Sequence, residues 1–362
     1  MKIFFIGDCL DTDKQNAPLL VAAGLFNKFR EKNLPVEYIT YFIDGRKYSL
    51  FQKLFGKQII NNDTIRFGII PMIFYIFRKR PDVLYLLNIE FFYLPLLLLK
   101  YVLRYKIFYT AHGIIAYENH YFREIPVILN MKNIIIEFLN FKISDKIISL
   151  SKKTARLISY CYKLNPAKII VLDNAISPDW AISKKKSEFN SSSIKIATVG
   201  STSRKEKGIG FLISALSLTT HGIELNIYGE NTDLPRTDRY NNLTVNFYPF
   251  MEKKELICKL PENDVLLVPS LYDTFNLSLL EAMNIGMLFI SSDRVGLTER
   301  FDDRLMKFVY KHYNSADLLD KLKMVINLSP EERNYYSDLN HKFSLGFTWD
   351  KVSNQYLAIF NE

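Results

Sequence analysis

The chain alternates short apolar runs with longer segments in which apolar residues recur every three or four positions. Runs at 2–6, 36–42, 81–86, 106–113, 144–151 and 169–172 predict strands in the first half. Runs at 194–199, 225–230, 245–250, 264–268 and 288–292 predict strands in the second. Near-continuous Val, Ile, Leu and Phe over four to eight residues marks parallel strands buried on both faces. Between them lie helical patterns at about 18–32, 91–105, 123–143, 209–218, 252–260 and 277–283, with Asn276 placed to cap the last. Phe347-Thr348-Trp349-Asp350 opens a final helix. This alternation predicts an α/β protein with doubly wound sheets.

A polar, Ser- and Lys-rich stretch from Ser183 to Ser193 interrupts the pattern near its middle and reads as a linker. It divides the chain into a domain at 1–182 and a second at 194–345. With 362 residues, 48% of them hydrophobic, each part is large enough for its own core. Cys9, Cys161 and Cys258 have no paired spacing, so neither a disulfide framework nor a zinc site is indicated, which fits a reducing cytoplasm. The run at the N-terminus is stopped by Gly7 and Asp8, too early for a signal peptide. Phe91–Leu103 is short of the roughly 20 residues needed to span a bilayer and contains Pro95, so it reads as a core helix.

Charge changes the picture more than composition does. The net charge is +9, and it is unevenly placed. Residues 1–180 hold 25 Lys/Arg against 15 Asp/Glu, a net of +10, whereas residues 181–362 hold 22 against 23, a net of −1. A basic first half predicts attraction to an anionic membrane surface or an acidic acceptor. No nucleic-acid motif accompanies these cations, so nucleic acid is not expected as a partner.

Candidate chemistry gathers at strand ends. After the run at 264–268 come Asp273 in a loop and Glu281 about a turn into the next helix. A helix N-terminus attracts phosphate or sugar oxygens, and a carboxylate can accept two hydrogen bonds from a vicinal diol. The same spacing also suits an ordinary β-α unit. Gly200 to Gly208 holds Arg204, Lys205 and Lys207 between a strand end and a helix start, a diphosphate clamp or a charged surface loop. His112 ends the strand at 106–113, where ligands of open α/β sheets gather, though a structural histidine is the alternative. His120 is read in a mobile loop. Asp11-Thr12-Asp13 matches a metal-binding D-x-D only superficially and reads as a solvated loop.

Pro269-Ser270-Leu271-Tyr272-Asp273-Thr274-Phe275-Asn276-Leu277-Ser278-Leu279-Leu280-Glu281-Ala282-Met283 resembles the signature of the retaining family 4 glycosyltransferases of GT-B fold. That signature is roughly P-S-x-x-E-x-F-G-x-x-x-x-E-A-M. Pro269, Ser270, Phe275, Ala282 and Met283 fall in register, and Asp273 and Glu281 hold the spacing of its two glutamates. Asp replaces the first Glu, and Asn276 replaces the glycine. Lys207 and Gly208 match the end of the family's G-R-x-x-x-x-K-G, whereas Ser201 stands at its arginine. Gly296-Leu297-Thr298-Glu299 resembles its G-G-x-x-E turn, with Val295 replacing the first Gly.

The resemblance implies two Rossmann-like domains facing a cleft, with residues 346–362 packing back on the first. It implies a nucleotide-sugar donor on the second domain and a saccharide or lipid-linked acceptor on the first. By it, His112, Lys207, Asp273 and Glu281 would be catalytic. Arg204, Lys207, Gly229, Asp273, Thr274, Phe275, Asn276, Leu277 and Glu281 would hold the donor, and His120 would face the acceptor. In the family, the region of 123–143 can touch the membrane. The expected reaction is metal-independent transfer of a hexose or N-acetylhexosamine, from a UDP-sugar before GDP-mannose, in polysaccharide, capsule or lipopolysaccharide synthesis. No cofactor is expected. The expected location is cytoplasmic, peripheral on the inner face of the plasma membrane. The alternative is a catalytically weak GT-B subunit that binds or stabilises another transferase.

Overall fold

The computed structural model describes residues 1–8, 17–42, 48–88, 90, 93–122, 125–177, 180, 193–230 and 242–362. Asp11-Thr12-Asp13 and residues 183–192 of the linker lie outside them. The chain forms two compact units. The first comprises 1–119, 125–175 and 349–362, and the second comprises 120–124 and 176–348.

The first unit is built on eight strands: β1 (Ile3–Ile6), β2 (Val36–Tyr41), β3 (Lys57–Asn61), β4 (Thr64–Phe67), β5 (Val83–Leu86), β6 (Lys106–Ala111), β7 (Lys146–Ser149) and β8 (Ile169–Val171). Their order is β3-β4-β2-β1-β5-β6-β7-β8, parallel except that β3 runs antiparallel to β4. Seven helices connect them: α1 (Ala17–Glu31), α2 (Leu50–Phe55), α3 (Ile69–Lys79), α4 (Leu94–Leu103), α5 (Ile115–Phe122), α6 (Val127–Ile143) and α7 (Lys152–Tyr162). Strand alternation divides the core in two. Phe4 and Ile6 face a cluster with Met72 and Ile76 of α3, Leu96 and Leu97 of α4, Phe141 of α6, and Ile158 and Tyr162 of α7. Phe5 faces the other way, edge-on to Phe26 and Phe29 of α1 and to Tyr85.

The second unit is a six-stranded parallel sheet in the order β11-β10-β9-β12-β13-β14. In chain order its elements are β9 (Ile194–Val199), α8 (Ile209–Leu216), β10 (Ile223–Tyr228), β11 (Leu243–Tyr248), α9 (Lys253–Lys259), β12 (Val265–Val268), α10 (Leu277–Asn284), β13 (Leu288–Ser292), α11 (Asp303–Met306), β14 (Val309–Tyr310), α12 (Ser315–Ile326) and α13 (Pro330–Ser344). β9 lies in the centre, so the loops after β9, β10 and β12 open side by side at the carboxyl edge of the sheet.

The last helix, α14 (Trp349–Asn361), belongs to the first unit and covers the sheet face beside α1. Its Phe360 packs on Phe29, Tyr85 and Phe108, and the Tyr356 hydroxyl lies 3.2 Å from that of Thr110. The two helices meet at Gly24, where a Cβ would stand 2.3 Å from the Trp349 ring. No side chain larger than hydrogen fits there.

Two expectations change. His120 does not lie in a loop: it sits on α5, exposed, its ring edge-on to Tyr121. The hydrogen bonds that close α5 are local, and the polar composition of 117–120 concealed them. The apolar helix at 94–103 is a core helix on one side only. Leu96 and Leu97 are buried, whereas Leu98, Tyr101 and Val102 are exposed. Among the described residues no helix is long and apolar enough to cross a membrane.

The Gly24 contact generates a prediction. Gly24→Val should overpack the α1–α14 junction and destabilise the protein by about 1–3 kcal/mol in chemical denaturation. Adding Trp349→Leu should restore part of that loss, because the clash is with the indole. A double variant no better than the single would mean that the helices meet elsewhere.

Candidate active site

In the second unit the loop after β9 turns through a single 3-10 turn, Lys205–Lys207, into α8. Gly208 has φ +69°, and a Cβ there would lie 2.1 Å from the Pro269 carbonyl oxygen, so only glycine lets this loop rest on the one after β12. The Leu271 N–H donates to the Glu206 carbonyl at 2.7 Å, locking the two loops together. The buried Glu206 carboxylate takes Arg204, with Nε and Nη2 at 2.7 and 2.6 Å.

That arrangement delivers Lys207 to Asp273. The ammonium lies 2.8 Å from Asp273 Oδ2, which also accepts from Asn276 Nδ2 at 3.0 Å, while Oδ1 accepts the Phe275 N–H at 3.2 Å. Burial pushes the Asp273 pKa up, but the Lys207 charge and the hydrogen bonds from Lys207, Asn276 and Phe275 together outweigh it and hold the carboxyl below its ordinary value. An ionised carboxylate offers about four lone-pair positions. Three are taken by donors among the described residues, so Asp273 fixes Lys207 and has one position left over. The Lys207 ammonium, with three protons, keeps two.

Asn276 explains itself. Its φ is +74°, a left-handed conformation that favours glycine and that asparagine tolerates better than other side chains. Its Oδ1 accepts the Leu279 N–H at 2.8 Å and caps α10. The residue that replaces the family's glycine therefore keeps the backbone and adds a cap and a bond to Asp273. By helix geometry the first-turn N–H groups of Leu277 and Ser278 have no acceptor within α10, which makes this end attractive to anions. Thr274 and Phe275 are buried, and the Phe275 ring packs against Phe347, so Phe275 offers the site only backbone. The turn at Gly296–Arg300 backs this loop: the Gly296 and Leu297 N–H groups donate to the Asp273 and Phe275 carbonyls at 2.9 and 3.1 Å.

Glu281 lies in the second turn of α10, buried. Burial raises its pKa to about 7, against the opposing pull of Lys253. Gly229 follows β10 against the loop at 200–201, where the Ser201 hydroxyl donates to the Glu230 carbonyl at 2.8 Å. Arg204 is held on Glu206 and Ser201 on Glu230, so Lys207 is the cation that this loop sets against Asp273.

In the first unit, His112 follows β6. Burial lowers its pKa to about 4, so the ring is neutral at pH 7. Sequence reasoning missed the residues around Asp8. The strand order reverses between β1 and β5, and their carboxyl ends bring Asp8 and Asn88 together. Asp8 Oδ1 accepts from the Tyr41 hydroxyl at 2.9 Å and from Asn88 Nδ2 at 3.2 Å. Glu90 is nearby, its pKa raised to about 7 by burial and by the Asp8 charge, against Lys132. The available signal was polar residues two or more positions past strand ends, here 80 residues apart. Among the described residues no group of three or more His, Cys, Asp or Glu is placed to hold a metal ion.

Residues 180–342 match the family described as "Glycosyl transferases group 1". The O-antigen biosynthesis glycosyltransferase WclY of Escherichia coli is 29% identical over 229 residues, 60% of this chain and 61% of that protein. An uncharacterized 41.2 kDa protein in the cps region of Klebsiella pneumoniae is 30% identical over 172 residues, 43% of this chain and 48% of that one. The chain spans 20% to 61% of the length of the curated relatives it matches. Among solved structures, sucrose-phosphate synthase from Thermosynechococcus elongatus superposes with a TM-score of 0.74 at 13% identity, over 99% of this chain and 98% of that one. Anabaena HepE in complex with UDP and glucose superposes at 0.73 and 14% identity, over 100% and 99%. This chain therefore has the GT-B fold, and its residues 180–342 carry the similarity to the group 1 glycosyl transferases.

Proposed function

We propose that this chain is a retaining glycosyltransferase of O-antigen- or lipopolysaccharide-type glycan synthesis. It would move a hexose or N-acetylhexosamine from a nucleotide sugar to a saccharide or lipid-linked acceptor. The observation that carries the reading is Lys207 fixed on Asp273 beside the N-terminus of α10, with Glu281 about one turn in. A UDP-sugar is favoured over GDP-mannose, in line with the UDP and UDP-glucose complexes solved for HepE.

Breaking the bond between the sugar and the diphosphate leaves positive charge on the sugar and negative charge on the departing oxygen. Lys207 and the α10 N-terminus meet the negative charge with donors already in place, which lowers the barrier without a metal. The fourth lone-pair position of Asp273 takes a sugar hydroxyl, and ionised Glu281 takes the ribose diol. The acceptor hydroxyl attacks on the face from which the phosphate leaves. Its oxygen bonds to the anomeric carbon, and its proton passes to the departing phosphoryl oxygen. Neutral His112 contributes a hydrogen bond to the sugar. Asp8, Asn88 and Glu90 hold acceptor hydroxyls. The alternative, a catalytically weak partner subunit, draws on Arg204 being tied to Glu206 and Ser201 replacing a cation.

Thermal-shift titration with UDP, GDP, ADP and their sugars decides between them. Stabilisation by uridine nucleotides is expected, and none by any nucleotide would favour the partner subunit. Because a diol bonds to the ionised carboxylate, affinity should rise between pH 6 and 8 as Glu281 deprotonates near 7. Glu281→Gln should lose about tenfold at pH 8, little at pH 6, and flatten the profile. The ligand-free protein has the opposite sign. A carboxyl whose folded pKa near 7 exceeds its ordinary 4.5 weakens the fold as pH rises through that window, and Glu281→Gln should remove the loss.

Lys207→Met should lower kcat/KM by about 10²–10³ and also destabilise the protein by about 3 kcal/mol, because it strands the Asp273 carboxylate. Lys207→Met with Asp273→Asn should recover stability and stay inactive; an active double variant would remove both residues from the mechanism. Transfer should proceed unchanged in EDTA. A loss reversed by Mg²⁺ or Mn²⁺ would overturn metal independence.

A further inference from the structure

Glu137 is a fully buried carboxylate that the transfer chemistry above does not use. It lies on α6, and its two oxygens accept the Ile115 and Ala116 N–H groups at 2.8 and 3.0 Å. Tyr162 of α7 donates its hydroxyl to the second oxygen. The Tyr162 ring packs on Phe141, and Phe141 on Tyr109 of β6, so the carboxylate sits against aromatic rings rather than water. Burying a charge is costly unless hydrogen bonds compensate. Burial raises the Glu137 pKa, while Tyr162 and the two N–H groups pull it back. Backbone N–H groups can only donate, so this pair suits the ionised form.

The two amides are the first of α5, and the first N–H groups of a helix have no acceptor within it. The residue before a helix usually supplies one from its side chain. Here that residue is Ile114, which has no side-chain oxygen and is itself buried. The cap comes instead from another helix, 22 residues along the chain. What it holds is the turn that carries His112. The β6–β7 ladder ends at Ala111 and Ser149, so residues 112–114 leave the sheet and enter α5 directly. The turn is tight as well: a Cβ on Gly113 would stand 2.3 Å from Glu118 Oε1, which reaches back from the first turn of α5. An apolar residue at 137 would pack the core but take the acceptor from both amides.

We infer that Glu137 is a positioning residue for transfer: by clamping the start of α5 it sets the His112-Gly113 turn at the end of β6. The part that His112 plays in transfer rests on the function proposed above, whereas the clamp itself does not.

The test is Glu137→Gln, which keeps the shape but turns an amide donor toward one of the two backbone N–H groups. Glu137→Asp keeps the charge and draws it back by one methylene, and Tyr162→Phe spares the clamp. The first reading is nuclear magnetic resonance of protein with isotope-labelled histidine, in which the His112 ring is the signal that His112→Gln removes. At pH 6 the wild-type ring is neutral; both Glu137 variants should show it partly protonated, as the loosened turn admits water. The second reading is transfer. Counted per nucleotide-binding site, kcat should fall about 10- to 100-fold in both Glu137 variants, with nucleotide affinity unchanged and Tyr162→Phe close to wild type. Full kcat per binding site in Glu137→Gln, or an unmoved His112 signal in the folded variants, would overturn the inference. So would an equal loss in Tyr162→Phe, which would reduce Glu137 to core packing. A wild type that neither binds nucleotide nor transfers would remove the proposed function instead, and the His112 signal would still decide the clamp.

Discussion

A carboxylate mostly withdrawn from water must find positive charge, and at Asp273 that requirement helps hold the second unit's edge together. The carboxylate draws Lys207 from the loop after β9, Asn276 from the cap of α10 and the Phe275 amide from its own turn. Its backbone meanwhile pairs with the turn at 294–296. Three loops from strands far apart in sequence thereby share one anchor. Two of the three depend on its charge, whereas the turn at 294–296 is held by backbone bonds that do not. Gly208 makes the approach possible, because any Cβ would keep the Lys207 loop off Pro269.

Much of this was legible in the sequence. Buried parallel strands are continuous apolar runs, and nearly every run in the second half is a strand within two residues of its predicted place. The spacing of Asp273, Asn276 and Glu281 announced a helix N-terminus, because capping and periodicity are local. What was hidden is pairwise and distant. Arg204 could be counted as a cation but not as the partner of Glu206, whose burial depends on how two loops dock. Asp8 and Glu90 meet only because β1 and β5 are neighbours, a fact of topology rather than of spacing. The apolar segment at 94–103 misled for a related reason. A helix apolar all round reads as buried, and nothing local says that one of its faces is left to solvent.

The departures from the family pattern divide into two kinds. Asn276 preserves what the glycine position requires, a left-handed backbone, and adds a cap. Ser201 preserves nothing of an arginine's charge, and Arg204 is engaged on Glu206. In the proposed function, charge toward a donor diphosphate would thus rest on Lys207, with the α10 dipole sharing the load. A site with one fixed cation depends more steeply on that cation's placement than a site with two, which gives the Asp273 contact its weight.

The return of α14 to the first unit has a consequence for synthesis. Phe29, Tyr85 and Phe108 take their cover from Phe360, so this aromatic face stays open while some 170 further residues are made. At about 5–20 residues per second that is roughly 10–35 seconds on the ribosome. The second unit draws almost wholly on one contiguous stretch, 176–348, made in the meantime. The unit begun first is therefore finished last, and a stalled or clipped nascent chain would present an uncovered aromatic sheet to chaperones and proteases.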